Sequence, residues 1–318
     1  MSQPNRPRLP RKGRPKVIPI TIALVLFATG LYVGVQLAKP PPRPDFSNLP
    51  KKPTGLVTPE SSQPANAPPA TDPNAAEAPS SAEELPETIE RQPPPGASGQ
   101  PRISIVIDDL GRSMRDVSTL LSLGVPLTYS VLPFESKTPE VVAELNRHGV
   151  ELLCHLPMEA KSGANPGPGA LLLSMTPSEL TDATRRALAA VPGAVGVNNH
   201  MGSGMLADRD AITTVLGVVA EHRLYFLDSR TAADTVGYSL ARQLGMPAGE
   251  RQIFLDTERS PEFIRAQFEK LRAAAQKRGG AIAIGHPYPE TLEILATAVP
   301  EARAAGFEFV PASALIEG

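Results

Sequence analysis

From Arg102 onward the chain alternates between short apolar runs and amphipathic stretches, and the two periodicities separate cleanly. Apolar runs bounded by polar or turn residues predict strands at 103–107, 127–132, 150–154, 195–198, 224–227, 252–255 and 281–284, with an eighth at 307–310. The segments between them carry apolar residues at three- and four-residue spacing. They predict helices at 114–123, 139–148, 177–191, 209–222, 236–244, 261–278 and 290–305. Thr176-Pro177-Ser178-Glu179 has the capping-box spacing with proline at the first helical position, and Ser260-Pro261-Glu262 offers a second Ser-Pro start. Repeated strand–helix alternation implies an α/β architecture with a parallel sheet. A distorted (β/α) barrel of seven to eight strands fits better than an open doubly wound sheet, because polar residues follow nearly every strand. No G-x-G-x-x-G or Walker A pattern opens a helix, which argues against a nucleotide site.

The first hundred residues have a different texture. Arg6, Arg8, Arg11, Lys12, Arg14 and Lys16 precede an uncharged stretch at 17–38, long enough as a helix to cross a bilayer core. Cleavable signal peptides share this order of charge and apolarity. The length of the stretch and the lack of an A-x-A site before Lys39 favour a retained anchor. Sixteen of the 62 residues at 39–100 are proline, and few are aliphatic, so this segment cannot bury enough apolar surface to fold alone. The expected organisation is a basic cytoplasmic tail (1–16), a transmembrane anchor (17–38), a Pro-rich disordered linker (39–100) and one folded domain (101–318). With the basic tail inside, that domain would lie outside the inner membrane, in the periplasm or beyond.

Composition narrows the function classes. A net charge of −2 and the absence of a basic stripe argue against a nucleic-acid binder. The single cysteine, Cys154, rules out an intramolecular disulfide framework and reads as a buried small residue.

The candidate chemistry lies at strand ends, where alternating β/α proteins build their active face. Asp108-Asp109 follows the first strand. Adjacent carboxylates point in different directions on an extended chain, so one can bind a metal while the other faces a reacting water; the bland alternative is a loop pair capping the next helix. His155 follows the third strand and Glu159 lies four residues on, either a ligand or a loop carboxylate. Asn198-Asn199-His200-Met201-Gly202-Ser203 makes a poor helix and a poor strand, and reads as a polar loop supplying a ligand and hydrogen bonds. Asp228 and Arg230 end the fifth strand, as orienting groups or simply as a pair. His286, held between Gly285 and Pro287, suits proton transfer. Imidazole and carboxylate together suit zinc or a related divalent ion. His148 and His222 fall near predicted helix ends and stay outside this set.

In these stretches, which span nearly all of residues 102–316, the chain resembles the divergent polysaccharide deacetylases, a remote branch of the NodB-type carbohydrate esterases. The resemblance implies a distorted barrel and a metal-dependent hydrolase of amide bonds acting on an N-acetylated polysaccharide or glycan. It implies Asp108 as base, Asp109 and His155 as metal ligands, and His286 as general acid. The family's second histidine, four residues beyond the first, is replaced here by Glu159. His200 is expected to take its place, with a divalent metal, zinc by preference. Asn198, Asn199, Asp228 and Arg230 would bind substrate or support the ligands. Two rivals remain: a non-catalytic glycan-binding or scaffold module of the cell envelope, and a hydrolase of another bond, such as an ester.

Overall fold

Ile103, Ile105, Val106 and Ile107 are all fully buried, so the strand that carries them must be covered on both faces. The computed structural model describes residues 99–316. In chain order its strands are Arg102–Leu110 (β1), Thr128–Val131 (β2), Glu151–Met158 (β3), Gly196–Met201 (β4), Tyr225–Asp228 (β5), Ala248–Glu250 (β6), Ile253–Phe254 (β7), Gly280–Gly285 (β8) and Glu308–Phe309 (β9). The helices are Met114–Leu121 (α1), Thr138–His148 (α2), Pro177–Ala190 (α3), Arg209–Glu221 (α4), Gly237–Gln243 (α5), Pro261–Arg278 (α6) and Pro289–Ala304 (α7). The strands lie in the order β6-β5-β4-β3-β2-β1-β8-β7, all parallel, and β9 pairs with the first two residues of β1. The result is an α/β domain whose parallel sheet curls into a half-barrel.

The curl is visible where the two edges meet. The predicted strand at 252–255 is in fact part of a segment split between β6 and β7, which occupy opposite edges of the sheet. Arg251 N donates to Asp228 O of β5 at 3.0 Å, and the next amide, Gln252 N, donates to Ile282 O of β8 at 3.0 Å. Two consecutive residues thus hydrogen-bond to strands on opposite sides of the seam. Periodicity within one segment carries no information about this switch, because it depends on which partners the curled sheet brings alongside.

Helix starts follow the sequence signals. Thr176 Oγ1 accepts from Glu179 N at 3.3 Å while Glu179 Oε2 accepts from Thr176 N at 2.7 Å, completing the capping box of α3. Ser260 caps α6 through Phe263 N. Gly149 and Gly279 end α2 and α6 in the left-handed conformation that glycine adopts without steric cost.

The C-terminal turn at Ala312–Leu315 closes the N-terminal end of the sheet. Val106, Leu153, Leu227, Ile282 and Ile284 form an interior cluster with Ala312, and Leu315 and Ile316 pack against it. Glu151 Oε1 accepts from Thr128 Oγ1 (2.8 Å), Tyr225 Oη (3.1 Å) and Ser313 N (3.1 Å), fixing the turn in place. With that end plugged, the accessible face is the one at the C-terminal strand ends. The expected tail (1–16) and anchor (17–38), and all but the last two residues of the expected linker (39–100), lie outside the described residues. Among the described residues, no helix is long and apolar enough to cross a membrane.

Candidate metal centre

The site begins with a kink at the end of β1. The β1–β2 register shifts between Ile107 and Leu110, and Asp109 has φ +58°. This corrects the expectation that the two carboxylates diverge. The left-handed residue swings Asp109 round, so both carboxylates reach the same imidazole. His155 Nε2 lies 3.6 Å from Asp108 Oδ2 and 3.2 Å from Asp109 Oδ1.

His200 arrives from the neighbouring strand. The stretch expected to be a polar loop is strand instead: β4 runs to Met201 and pairs with β3 through His155↔Asn198 and Pro157↔His200. Flanking strands supply the ladder that the polar composition does not advertise. Period-two alternation then puts Asn198 and His200 on one face and Asn199 on the other. His200 Nδ1 lies 2.9 Å from Asp109 Oδ1 and 3.2 Å from His155 Nε2.

These three atoms form a nearly equilateral triangle. A tetrahedral ion with bonds of about 2.0–2.1 Å holds its ligand atoms roughly 3.3 Å apart, so the triangle matches one ligand face to within a few tenths of an ångström. Asp109 Oδ1 is buried and makes no hydrogen bond of acceptable geometry despite its two nitrogen neighbours. A buried, unsatisfied carboxylate oxygen beside two imidazole nitrogens fits a cation-binding position better than a set of mutual hydrogen bonds. Burial opposes ionisation of Asp109, but His155, His200 and His286 hold its carboxyl well below the usual carboxylate range. Burial also opposes a charge on His155, yet Asp108 and Asp109 outweigh it and raise the imidazole above its ordinary value.

Two further groups flank the triangle. Asp108 is buried, and its Oδ1 accepts from Asn198 Nδ2 at 2.8 Å. His286 Nε2 stands 3.9 Å from Asp109 Oδ2. Its Nδ1 hydrogen-bonds Asp256 Oδ1 at 2.9 Å, while Asp256 Oδ2 accepts from His286 N (2.6 Å) and Thr291 Oγ1 (2.7 Å). The rings of Phe254 and Tyr288 lie against His286 on either side in sequence, at centroid distances of 5.4 and 5.2 Å. Burial would lower the His286 pKa, but the Asp256 hydrogen bond and the Asp109, Asp256 and Asp108 charges raise it to about 9.

Comparison with known proteins places the domain in a family. Residues 105–316 match the family described as "Divergent polysaccharide deacetylase". The chain belongs to that family. It is 33% identical over 196 residues to an uncharacterized protein of Haemophilus influenzae, spanning 62% of this chain and 70% of that one. It is 34% identical over 194 residues to the uncharacterized protein YibQ of Escherichia coli, spanning 61% of each. Among solved structures, the uncharacterized protein ATU2773 of Agrobacterium tumefaciens superposes with a TM-score of 0.65 at 26% identity, covering 70% of this chain and 92% of that one.

In this member of the divergent polysaccharide deacetylase family, the residue four beyond His155 is not part of the triangle. Glu159 Oε2 accepts from Leu173 N at 2.8 Å and latches the loop between β3 and α3, while its backbone carbonyl accepts from Gly204 N and Met205 N. The residues that converge are Asp109, His155 and His200. Asn199 turns away from the triangle and secures the loop after β5, accepting from Ser229 N at 2.8 Å and donating to Met201 O at 2.7 Å. Asp228 and Arg230 are not a side-chain pair. Asp228 accepts from Arg230 N, Thr235 Oγ1 and Tyr238 N, whereas the Arg230 guanidinium pairs with Glu250 at 2.7 Å.

Sequence reasoning overlooked Asp256 and Ser130. Asp256 follows Ile253-Phe254-Leu255 and so carried the same strand-end signal as the others. Ser130 lies inside a strand, and only the fold shows that its hydroxyl donates to Asn198 Oδ1 at 2.6 Å.

Proposed function

We propose that this domain is a metal-dependent amidase that removes acetyl groups from an N-acetylated glycan, tethered to the inner membrane by residues 17–38 and exposed on its far side. One observation carries the reading: the Asp109–His155–His200 triangle has a buried carboxylate, Asp108, and an Asp-supported imidazole, His286, within 4 Å of its residues. Asp109, His155 and His200 would hold the ion, with zinc the preferred candidate. When bound, such an ion polarises the amide carbonyl and makes water a better nucleophile at neutral pH.

The chain's own residues do the rest. Asp108 presents Oδ2 to the site while Asn198 occupies Oδ1, so Oδ2 is the atom that accepts a proton from the attacking water. His286 donates Nδ1–H to Asp256, so the proton it can deliver to the departing amine is the second one, on Nε2 of the imidazolium. Burial of both groups keeps competing water from these proton paths.

The test compares metal content and acetate release for the full-length protein on N-acetylated oligosaccharides and on acetate esters. Asp108→Asn is expected to keep its metal and lose about 10²–10⁴-fold in turnover. His200→Ala is expected to lose the metal. Full metal content and full activity in a folded His200→Ala variant would overturn the assignment. Stoichiometric metal without release of acetate from either substrate would favour the glycan-binding module.

A further inference from the structure

We propose that Asn198 is a positioning residue that ties the base to the metal site: one buried amide fixes Asp108 and His155 at once. The inference rests on the metal-dependent reading above and adds a residue to it.

Asn198 is completely buried, beneath the two groups it contacts, so no substrate reaches it and it acts through them. Its hydrogen-bonding capacity is fully used. Oδ1 lies 2.8 Å from His155 Nδ1 and accepts from Ser130 Oγ at 2.6 Å; Nδ2 donates to Asp108 Oδ1 at 2.8 Å and approaches Ser229 Oγ at 3.4 Å. A primary amide offers two acceptor positions and two donor hydrogens, and all four are met. The orientation of the amide is therefore determined. A carboxylate only accepts, so the nitrogen must face Asp108 and the oxygen must face His155.

That orientation has two consequences. The oxygen requires a hydrogen on His155 Nδ1, which leaves Nε2 as the ring atom available to a cation, the same atom that forms a corner of the triangle. The nitrogen occupies Oδ1 of Asp108 and leaves Oδ2 toward the site. The sequence prepares this arrangement simply. His155 and Asn198 are register partners on the adjacent parallel strands β3 and β4, and Asp108 lies near the end of β1, separated from β3 by β2, whose Ser130 completes the amide's shell.

Two substitutions separate the tasks. Asn198→Asp keeps an acceptor for His155 and Ser130 but replaces the hydrogen-bearing nitrogen with oxygen, so Asp108 either meets a second carboxylate or shares a proton with it. Asn198→Ala removes both contacts. The expected results are loss of metal affinity by about 10–100-fold in Asn198→Ala, and near wild-type affinity in Asn198→Asp with turnover down by about 10²-fold and KM little changed. The isosteric Asn198→Asp also keeps the test alive if Asn198→Ala fails to fold.

A readout independent of activity is the His155 Nδ1–H resonance in ¹H–¹⁵N spectra of the metal-free full-length protein. It should exchange slowly with solvent in the wild type and in Asn198→Asp, and rapidly in Asn198→Ala. Equal loss of metal affinity in the two variants, or a protected Nδ1–H in Asn198→Ala, would overturn the proposal. A wild type that binds no metal would overturn the deacetylase reading instead, and the exchange measurement would still decide the role of Asn198.

Discussion

Asp109, Met201 and Arg230 are three of the four non-glycine residues at positive φ among the described residues, and each stands at the end of a strand that bears on the site. Asp tolerates this conformation better than Met or Arg, and such strain costs on the order of 1–3 kcal/mol per residue, so surrounding contacts must hold it. At Asp109 the return is the convergence of two carboxylates on one imidazole. Asp256 acts by charge rather than by strain. In the metal-free protein the His286 pKa stands near 9, above the ordinary imidazole value of about 6.5. The stabilisation from this charged pair is therefore complete below about pH 6.5 and is lost as pH rises through 9. Asp256→Asn should shift the His286 NMR titration downward. The stability gap between wild type and variant in denaturant melts should shrink across the same pH range; a gap constant from pH 6 to 10 would contradict the pairing. Asp108, Asp109, His155, His200 and His286 were legible in the chain because each stands at or just beyond an apolar run. Their mutual distances were not, since each comes from a kink or register set by neighbouring strands.

At the scale of elements, the helices were the most legible part. Their caps are local, and a Thr-Pro-x-Glu start forms its bonds within one turn whatever surrounds it. Strands were legible in their apolar centres and misread at their ends. β3 and β4 extend to Met158 and Met201 because each finds a partner there, and the 252–255 run keeps only the two residues of β7, the segment just before it having crossed from β6 on the opposite edge. The C-terminal turn shows what such non-local pairing contributes. Glu151→Ala would leave Thr128, Tyr225 and Ser313 without their shared acceptor. A loss of about 1–3 kcal/mol is expected, read as a lower denaturation midpoint with the site residues untouched. Wild-type stability in that variant would mean that the apolar contacts of Leu315 and Ile316 alone seat the turn.

For the whole molecule, the parallel curl gathers strand ends from residues 108 to 286 into one face and concentrates three carboxylates, Asp108, Asp109 and Asp256, against three imidazoles. Such a cluster balances its charge with protons or with a cation. Adding zinc to the metal-free protein should therefore release protons, measurable by calorimetry in buffers of different ionisation enthalpy, and should raise the melting temperature in proportion to ligand excess. Binding without proton release would contradict the cluster's charge balance. The sequence by itself determined the α/β class, the helix caps, the strand centres and the inventory of chemical groups, because each depends on residues close together along the chain. Only the tertiary structure decided which groups meet. The triangle, the amide bridge and the crossing of the seam all depend on contacts between residues far apart in sequence, and local pattern does not encode those distances.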